Sequence, residues 1–396
     1  MVFPFKSLEN FRIGLEPRHE SFRLRVREFA EKFVSPMVGE MEERWEIPKS
    51  LLEKAAEEKF YGVGIPEKYG GVGEDVLQLA VMVEEFSRVY PAFGMALLVH
   101  HLFTTPILLH GTEQQKQHYV KPVASGLKYA SHAVTEPAAG TDIMGIETSA
   151  HRREGEWIIN GVKNFIAGAE YADYFIVLAK TSNNSKRPGL TFFIVERGDE
   201  GVRIGERNRV VGMRGFQPAT IILEDVRIPD SRRVGEVGEG YRIALETYGR
   251  VRIGAAALAV GAAQALLEKS LRHALRRRAF GKPIISFQAI SFPLADMLTE
   301  LEAARLMLYW AATLTNMSEE AAAVAVSMAK LKASEVAEQA ALKAIEIHGR
   351  LGVASGGVAE RLLRDIEVMK IIEGTLEVQR IIISKYLSKA AERALP

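Results

Sequence analysis

A mostly helical fold interrupted by a β domain is what this chain predicts. Three observations carry the prediction: apolar residues at helical spacing from about Glu16 to Val120, short β-branched and aromatic runs between turn residues from about 125 to 233, and long alanine- and leucine-rich stretches beyond. The expected architecture is an N-terminal helical domain (1–124), a central β-barrel or sandwich-like domain (125–233) and a C-terminal four-helix-type bundle (234–396). At 396 residues the chain has room for two to three folding units of about 150 residues each.

In the first part, Phe22, Val26, Phe29 and Phe33 follow helical spacing, and Tyr69-Gly70-Gly71 marks a turn between runs. Thr112 and Gln115 form a capping box, which predicts a helix start followed by a surface helical turn over 114–120. In the second part, Asn160-Gly161 between Glu156–Ile159 and Val162–Ile166 predicts a two-residue hairpin turn. Strands are expected at 174–179, 190–195 and 219–223, separated by Asn183-Asn184, Gly201 and Gly212-Met213-Arg214-Gly215. In the third part, 241–276, 288–315 and 319–347 read as long helices, with Pro293 in a first turn or kink. A helix over 358–370, a break at 371–375 and a helix over 376–393 complete the chain.

Composition excludes several function classes. The 51 Lys+Arg against 50 Asp+Glu leave a net charge of +1, so no global attraction to nucleic acid or an anionic membrane is built in. The absence of cysteine removes disulfides, thiolate nucleophiles, iron–sulfur clusters and cysteine-ligated zinc, and no metal site is expected. No run of about 18 uncharged apolar residues, as a membrane span needs, is read in the sequence, and Met1 to Asn10 lacks a signal-peptide pattern. A cytoplasmic protein is the expectation.

Three segments offer chemistry. Val134-Thr135-Glu136-Pro137-Ala138-Ala139-Gly140-Thr141-Asp142 is a turn rich in hydroxyls and backbone N–H groups, suited to a planar or phosphate-bearing ligand, although a plain loop has the same composition. Arg276-Arg277-Arg278-Ala279-Phe280-Gly281-Lys282-Pro283, with Gln288 beyond it, reads either as a solvated helix end or as a pyrophosphate clamp. Glu373 lies at an interhelical break beside Ile371 and Ile372. Apolar neighbours favour its neutral form and raise its proton affinity toward that of a general base; a surface glutamate near a helix start, with Thr375 as N-cap and Glu377 on the dipole, is the other reading.

These segments, in this order within a helical, β and helical-bundle succession, closely resemble the acyl-CoA dehydrogenase family across essentially the whole chain. The resemblance implies FAD as cofactor, held by Val134, Thr135, Gly140 and Thr141 and by Phe165 and Ala167, with Arg277, Phe280 and Gln288 reaching the FAD of a neighbouring subunit in a homotetramer. Glu346, Gly349 and Arg350, together with Thr375 and Glu377, complete the implied cofactor set; Thr141, Arg252 and Gly374 are the implied substrate contacts. Glu373 takes the place of the family's catalytic base. The implied reaction is α,β-dehydrogenation of an acyl-CoA to the trans-2-enoyl-CoA, with electrons passed to electron-transfer flavoprotein, and with no nucleic-acid or membrane partner.

The chain departs from the family pattern at several positions. Ala167 stands where relatives often carry a hydroxyl that reaches the flavin, leaving only its backbone N–H for that bond. Glu346 and Arg350 replace a glutamine and a glycine; lying four residues apart, they are expected to form a coupled pair in which Arg350 neutralises Glu346 beside the pyrophosphate. Val251 stands where some branched- and long-chain relatives place their base, and Gly249 replaces a frequent aspartate. Two alternatives stay open: an acyl-CoA oxidase or flavin monooxygenase of the same fold, and a noncatalytic DNA-associated member.

Overall fold

The structure, a computed structural model, describes residues 15–182, 189–315 and 319–394. Asn183-Asn184 and the segment from Met1 to Asn10 lie outside the described residues. Two compact units emerge. The first takes the chain up to Gly39, Val76–Gly94 and the chain from Arg252 onward; the second takes Glu40–Asp75 and Met95–Val251. The units are not consecutive stretches because helices early in the chain pack with helices from its far end.

The helices are α1 (Pro17–Phe29), α2 (Val38–Arg44), α3 (Lys49–Glu57), α4 (Val76–Val89), α5 (Pro91–His110), α6 (Glu113–Gln115), α7 (Lys121–Ala124), α8 (Gly240–Arg276), α9 (Gln288–Leu314), α10 (Glu319–His348), α11 (Val358–Ile371) and α12 (Leu376–Ala394). The first unit is built where α1, α4, α9, α10, α11 and α12 meet the C-terminal part of α8. Small residues allow close approach there. A Cβ on Gly261 would lie 2.2 Å from the Glu84 carbonyl oxygen, and Ser87 Oγ donates to the Leu258 carbonyl at 2.5 Å. Gly261→Ala therefore forces α8 away from α4 and is expected to destabilise the fold by roughly 1–3 kcal/mol. An unchanged denaturation midpoint would contradict this reading of the crossing.

The second unit is organised on one eight-stranded sheet. Its strands are β1 (Ala130–Ala133), β2 (Ser149–Arg153), β3 (Glu156–Ala167), β4 (Tyr174–Lys180), β5 (Leu190–Glu196), β6 (Val202–Arg207), β7 (Pro218–Pro229) and β8 (Arg233–Val234). They run in the order β6-β7-β3-β2-β4-β5-β8, and β1 pairs parallel to β4. Alternate residues of β4 enter two separate apolar clusters: Ile176 and Leu178 pack with Phe103, Ile107 and Tyr119, whereas Phe175, Val177 and Ala179 pack with Trp157 and Ile221. A strand buried on both faces has a continuous apolar sequence, which is why Tyr174–Ala179 was legible.

Four expectations need correction. The Asn160-Gly161 turn does not form: β3 runs straight through it, with a register irregularity between Ile159 and Gly161. Asn160 instead bonds across to Asp225, and a Cβ on Gly161 would fall 2.3 Å from Thr148 Oγ1, so the glycine serves a close approach inside a bulge. The hairpin turn is Glu154-Gly155, both at positive φ, joining β2 to β3. Second, the capping box at Thr112 and Gln115 forms as expected, but the turn after it is a surface one on one face only: Gln114, Gln117 and His118 are exposed, while Tyr119 and Val120 are buried. Third, α5 and α8 are in fact long and apolar enough to cross a membrane by length and composition, although most of each apolar window is buried within the protein. Fourth, of the two placements expected for Pro293 the first turn is excluded, because Pro293 lies in the second turn of α9.

Candidate active site

In the first unit, α11 ends at Ile371 and α12 begins at Leu376, and the residues between them adopt an unusual backbone. Glu373 has φ 56° and Gly374 φ 89°, both left-handed, a conformation that a non-glycine residue holds only where its surroundings impose it. Three carbonyls in a row are gripped by two cations. Arg252 of α8 donates Nε–H to the Glu373 carbonyl at 2.8 Å, while Lys330 of α10 donates to the carbonyls of Ile372 and Gly374. From α12, Gln379 also donates to the Gly374 carbonyl, at 2.8 Å. Arg252, Lys330 and Gln379 are all buried, so Arg252 is a structural anchor of this loop and not a solvated helix residue.

The Glu373 side chain is left without a bond at one oxygen: Oε2 is buried and has no hydrogen-bond partner. Burial raises its pKa, partly opposed by the charges of Lys330 and Arg252. Burial likewise lowers the pKa of Lys330, opposed by Glu373. The arrangement is a carboxylate of raised proton affinity on a rigidly held loop, which can accept a proton from a weakly acidic group delivered to Oε2. The pKa of Glu377 is lowered first by its own backbone N–H and then by the Thr375 hydroxyl, both of which donate to its carboxylate.

The remaining first-unit candidates form a second cluster. Arg277 follows the end of α8, and Arg278–Ala279 (β9) pairs with Lys282–Pro283 (β10) around a turn of Phe280 and Gly281, both at positive φ. Phe280 is 94% exposed at the tip, and Arg277 and Gln288 are exposed beside it. His273 of α8 stacks on His348 of α10 with ring centroids 4.6 Å apart, bringing the Arg277 hairpin close to Gly349, whose φ is 58°. The expected Glu346–Arg350 pair does not form. Glu346 bonds Lys343 at 3.0 Å on the surface, and Arg350 lies in a short 3-10 turn beyond the end of α10, where helical i,i+4 geometry no longer applies.

The second unit brings together the other candidates. Val134, Thr135, Phe165 and Ala167 meet where β1 ends beside β3: Asn164 N–H donates to the Thr135 carbonyl at 2.8 Å, and Ser131 Oγ donates to the Ala167 carbonyl at 2.9 Å. Buried Lys163 fixes this edge by donating to the Val134 carbonyl at 3.1 Å and to Glu136 at 2.7 Å, while Glu136 accepts from the N–H groups of Glu147 and Thr148. Phe165 has φ 54° and is 55% exposed, because a second irregularity between Lys163 and Ile166 turns it outward. Gly140 and Thr141 are exposed on the turn that follows.

Sequence reasoning missed Lys330 and Lys163. For Lys330 a signal was present: it shares the inward face of α10 with Val326, Ser327, Ser334 and Ala337, where a charge needs a dedicated partner.

The sequence matches three family profiles in succession: Acyl-CoA dehydrogenase, N-terminal domain over 16–127, middle domain over 131–226 and C-terminal domain over 238–388. It is 41% identical to an acyl-CoA dehydrogenase of Bacillus subtilis (strain 168), covering 92% of this chain and 96% of that protein. It is 39% identical to the Caffeyl-CoA reductase-Etf complex subunit CarC of Acetobacterium woodii, covering 94% and 98%. Among solved structures, butyryl-CoA dehydrogenase from Megasphaera elsdenii superposes with a TM-score of 0.91 at 34% identity, covering 95% of this chain and 99% of that one. With its glutamate at the α11–α12 break and its three matching segments in order, the chain belongs to the acyl-CoA dehydrogenase family, a family of FAD-dependent oxidoreductases.

Proposed function

We propose that this protein catalyses the FAD-dependent α,β-dehydrogenation of an acyl-CoA thioester to the trans-2-enoyl-CoA and passes the electrons to an electron-transfer flavoprotein. The observation that carries the reading is Glu373, a carboxylate whose buried Oε2 lacks a partner on a loop held at all three carbonyls. A thioester α-proton is only weakly acidic. A base of raised proton affinity, fixed before the substrate arrives, needs little reorganisation to take it. Glu373 accepts that proton on its carboxylate, and its backbone N–H donates to the thioester carbonyl, favouring charge as it develops there. FAD, when bound, supplies the acceptor for the β-hydrogen and its electron pair.

The residues present fit that cofactor. The Thr135 and Thr141 hydroxyls make no hydrogen bond among the described residues and are accessible, and open space adjoins Gly140. Arg277 supplies a guanidinium suited to a phosphate, and the exposed Phe280 hairpin suits the reach toward a neighbouring subunit of a homotetramer. Division into domains at 1–124, 125–233 and 234–396 and a cytoplasmic location belong to the same proposal. The Acetobacterium woodii relative, named a reductase in an Etf complex, supports the flavoprotein partner and also favours a second reading. In it the enoyl double bond would be reduced instead, with reduced FAD, when bound, supplying the β-hydrogen and its electron pair and Glu373 returning the α-proton.

The protein is expected to purify yellow with noncovalent FAD. Stripping the flavin should lower the melting temperature, and restoring FAD at about 100 times its dissociation constant should return about 2.7 kcal/mol. A colourless protein that fails to bind added FAD would overturn the reading. Rapid oxygen consumption by the reduced enzyme would instead favour the oxidase alternative.

A further inference from the structure

Lys330 has no place in the reaction described so far, yet its position is costly. It is fully buried on α10, no carboxylate among the described residues lies within ion-pair distance of its ammonium, and it donates to two main-chain carbonyls. A buried ammonium without a paired carboxylate is normally replaced by an apolar residue unless its charge or its donors are needed. The two carbonyls it holds are those of Ile372 and Gly374, the residues on either side of Glu373. Arg252 holds the carbonyl between them, and Oε2 of the carboxylate itself has no partner. The charged groups that act on Glu373 are these two, from α8 and α10.

We propose that Lys330 is a positioning residue for the catalytic base: by clamping the carbonyls on both sides of Glu373 it imposes the left-handed backbone there and sets a cation beside the carboxylate without occupying it. The inference rests on Glu373 being the base. It adds that the loop does not hold the base in place on its own. A helix C-terminus neutralised by a lysine would explain the bond to the Ile372 carbonyl after α11, since cations favour that end. It does not explain the second bond, to Gly374, on the far side of the base.

The test uses the FAD-loaded protein with Lys330→Met, Lys330→Arg and, as control, Glu373→Gln. For Lys330→Met, anaerobic flavin reduction by acyl-CoA should slow at least about 100-fold at saturating substrate, with substrate affinity changed much less. The acid limb of its pH profile should move upward by about one unit, because removing a neighbouring cation raises the proton affinity of a carboxylate. Lys330→Arg, keeping charge and donors, should recover part of the rate and leave the limb near its original pH. A Met variant that melts lower yet keeps the parent rate and limb would show a purely structural lysine and overturn the inference. If the Met variant does not retain FAD, the Arg variant decides: a parent-like acid limb with a lowered rate supports positioning, and an upward-shifted limb contradicts it. A Glu373→Gln protein that reduces flavin at the parent rate would overturn the base assignment itself, a separate outcome.

Discussion

Glu373→Gln is expected to lower the rate of flavin reduction by acyl-CoA by about 10³-fold or more, while FAD content and acyl-CoA affinity stay close to those of the parent. The amide nearly preserves shape, so the loop, whose geometry is set by Arg252 and Lys330 acting on main-chain carbonyls, has no reason to move. What is lost is the ability to take a proton. The pH dependence should follow the same logic. Because burial raises the Glu373 pKa, the parent rate should fall as pH drops through that raised value, since the protonated acid cannot accept a proton. The Gln variant should lack this limb. Stopped-flow reduction across pH checks both, and a Gln variant that keeps rate and limb would place the base elsewhere.

The largest expected loss of stability comes from the helical unit. Arg305 of α9 and Glu84 of α4 are both buried; Arg305 Nε–H donates to Glu84 at 3.0 Å, Tyr309 donates to the other carboxylate oxygen at 2.7 Å, and Arg305 also bonds Gln264 at 2.5 Å. Arg305→Met removes the guanidinium and leaves in place the carboxylates of Glu84 and of Glu302, which Arg305 also bonds. Such a change is expected to destabilise by about 3–5 kcal/mol, read by chemical denaturation of the FAD-loaded protein. The double change Arg305→Met with Glu84→Gln should be less harmful than the sum of the single ones, because the more deeply buried stranded charge is gone. Additive losses would mean that the two residues are not energetically coupled.

How much of this was legible depended on how local each signal was. The helices of 241–276, 288–315 and 319–347 could be read to within a few residues, because long alanine- and leucine-rich runs without breakers need no distant partner to be identified. The Thr112–Gln115 capping box was equally local, and it forms. Asn160-Gly161 failed for the opposite reason: a dipeptide favourable to a turn was used for a bulge, because Thr148 packs against Gly161 and Asp225 bonds Asn160. Glu154-Gly155, a weaker turn signal, became the turn.

The site divided in the same way. Glu373 was legible from its interhelical break and its phrase, and the break forms at 372–375. The cations that hold it were not, since Arg252 and Lys330 lie 121 and about 40 residues away in sequence and nothing local marks a carbonyl as their target. Glu346 and Arg350 show the limit of spacing arguments. Four residues apart predicts a pair only while the helix continues, and α10 ends at His348.

Acyl-CoA dehydrogenation by this protein is best tested by mixing the purified flavoprotein anaerobically with short-, medium-, long-, branched- and aryl-chain acyl-CoA thioesters, following flavin absorbance and identifying the product. Bleaching is expected with at least one thioester, with one equivalent of its trans-2-enoyl-CoA formed per flavin reduced. A fully FAD-loaded protein that stays oxidised with every thioester, or that bleaches without forming an enoyl-CoA, would contradict it.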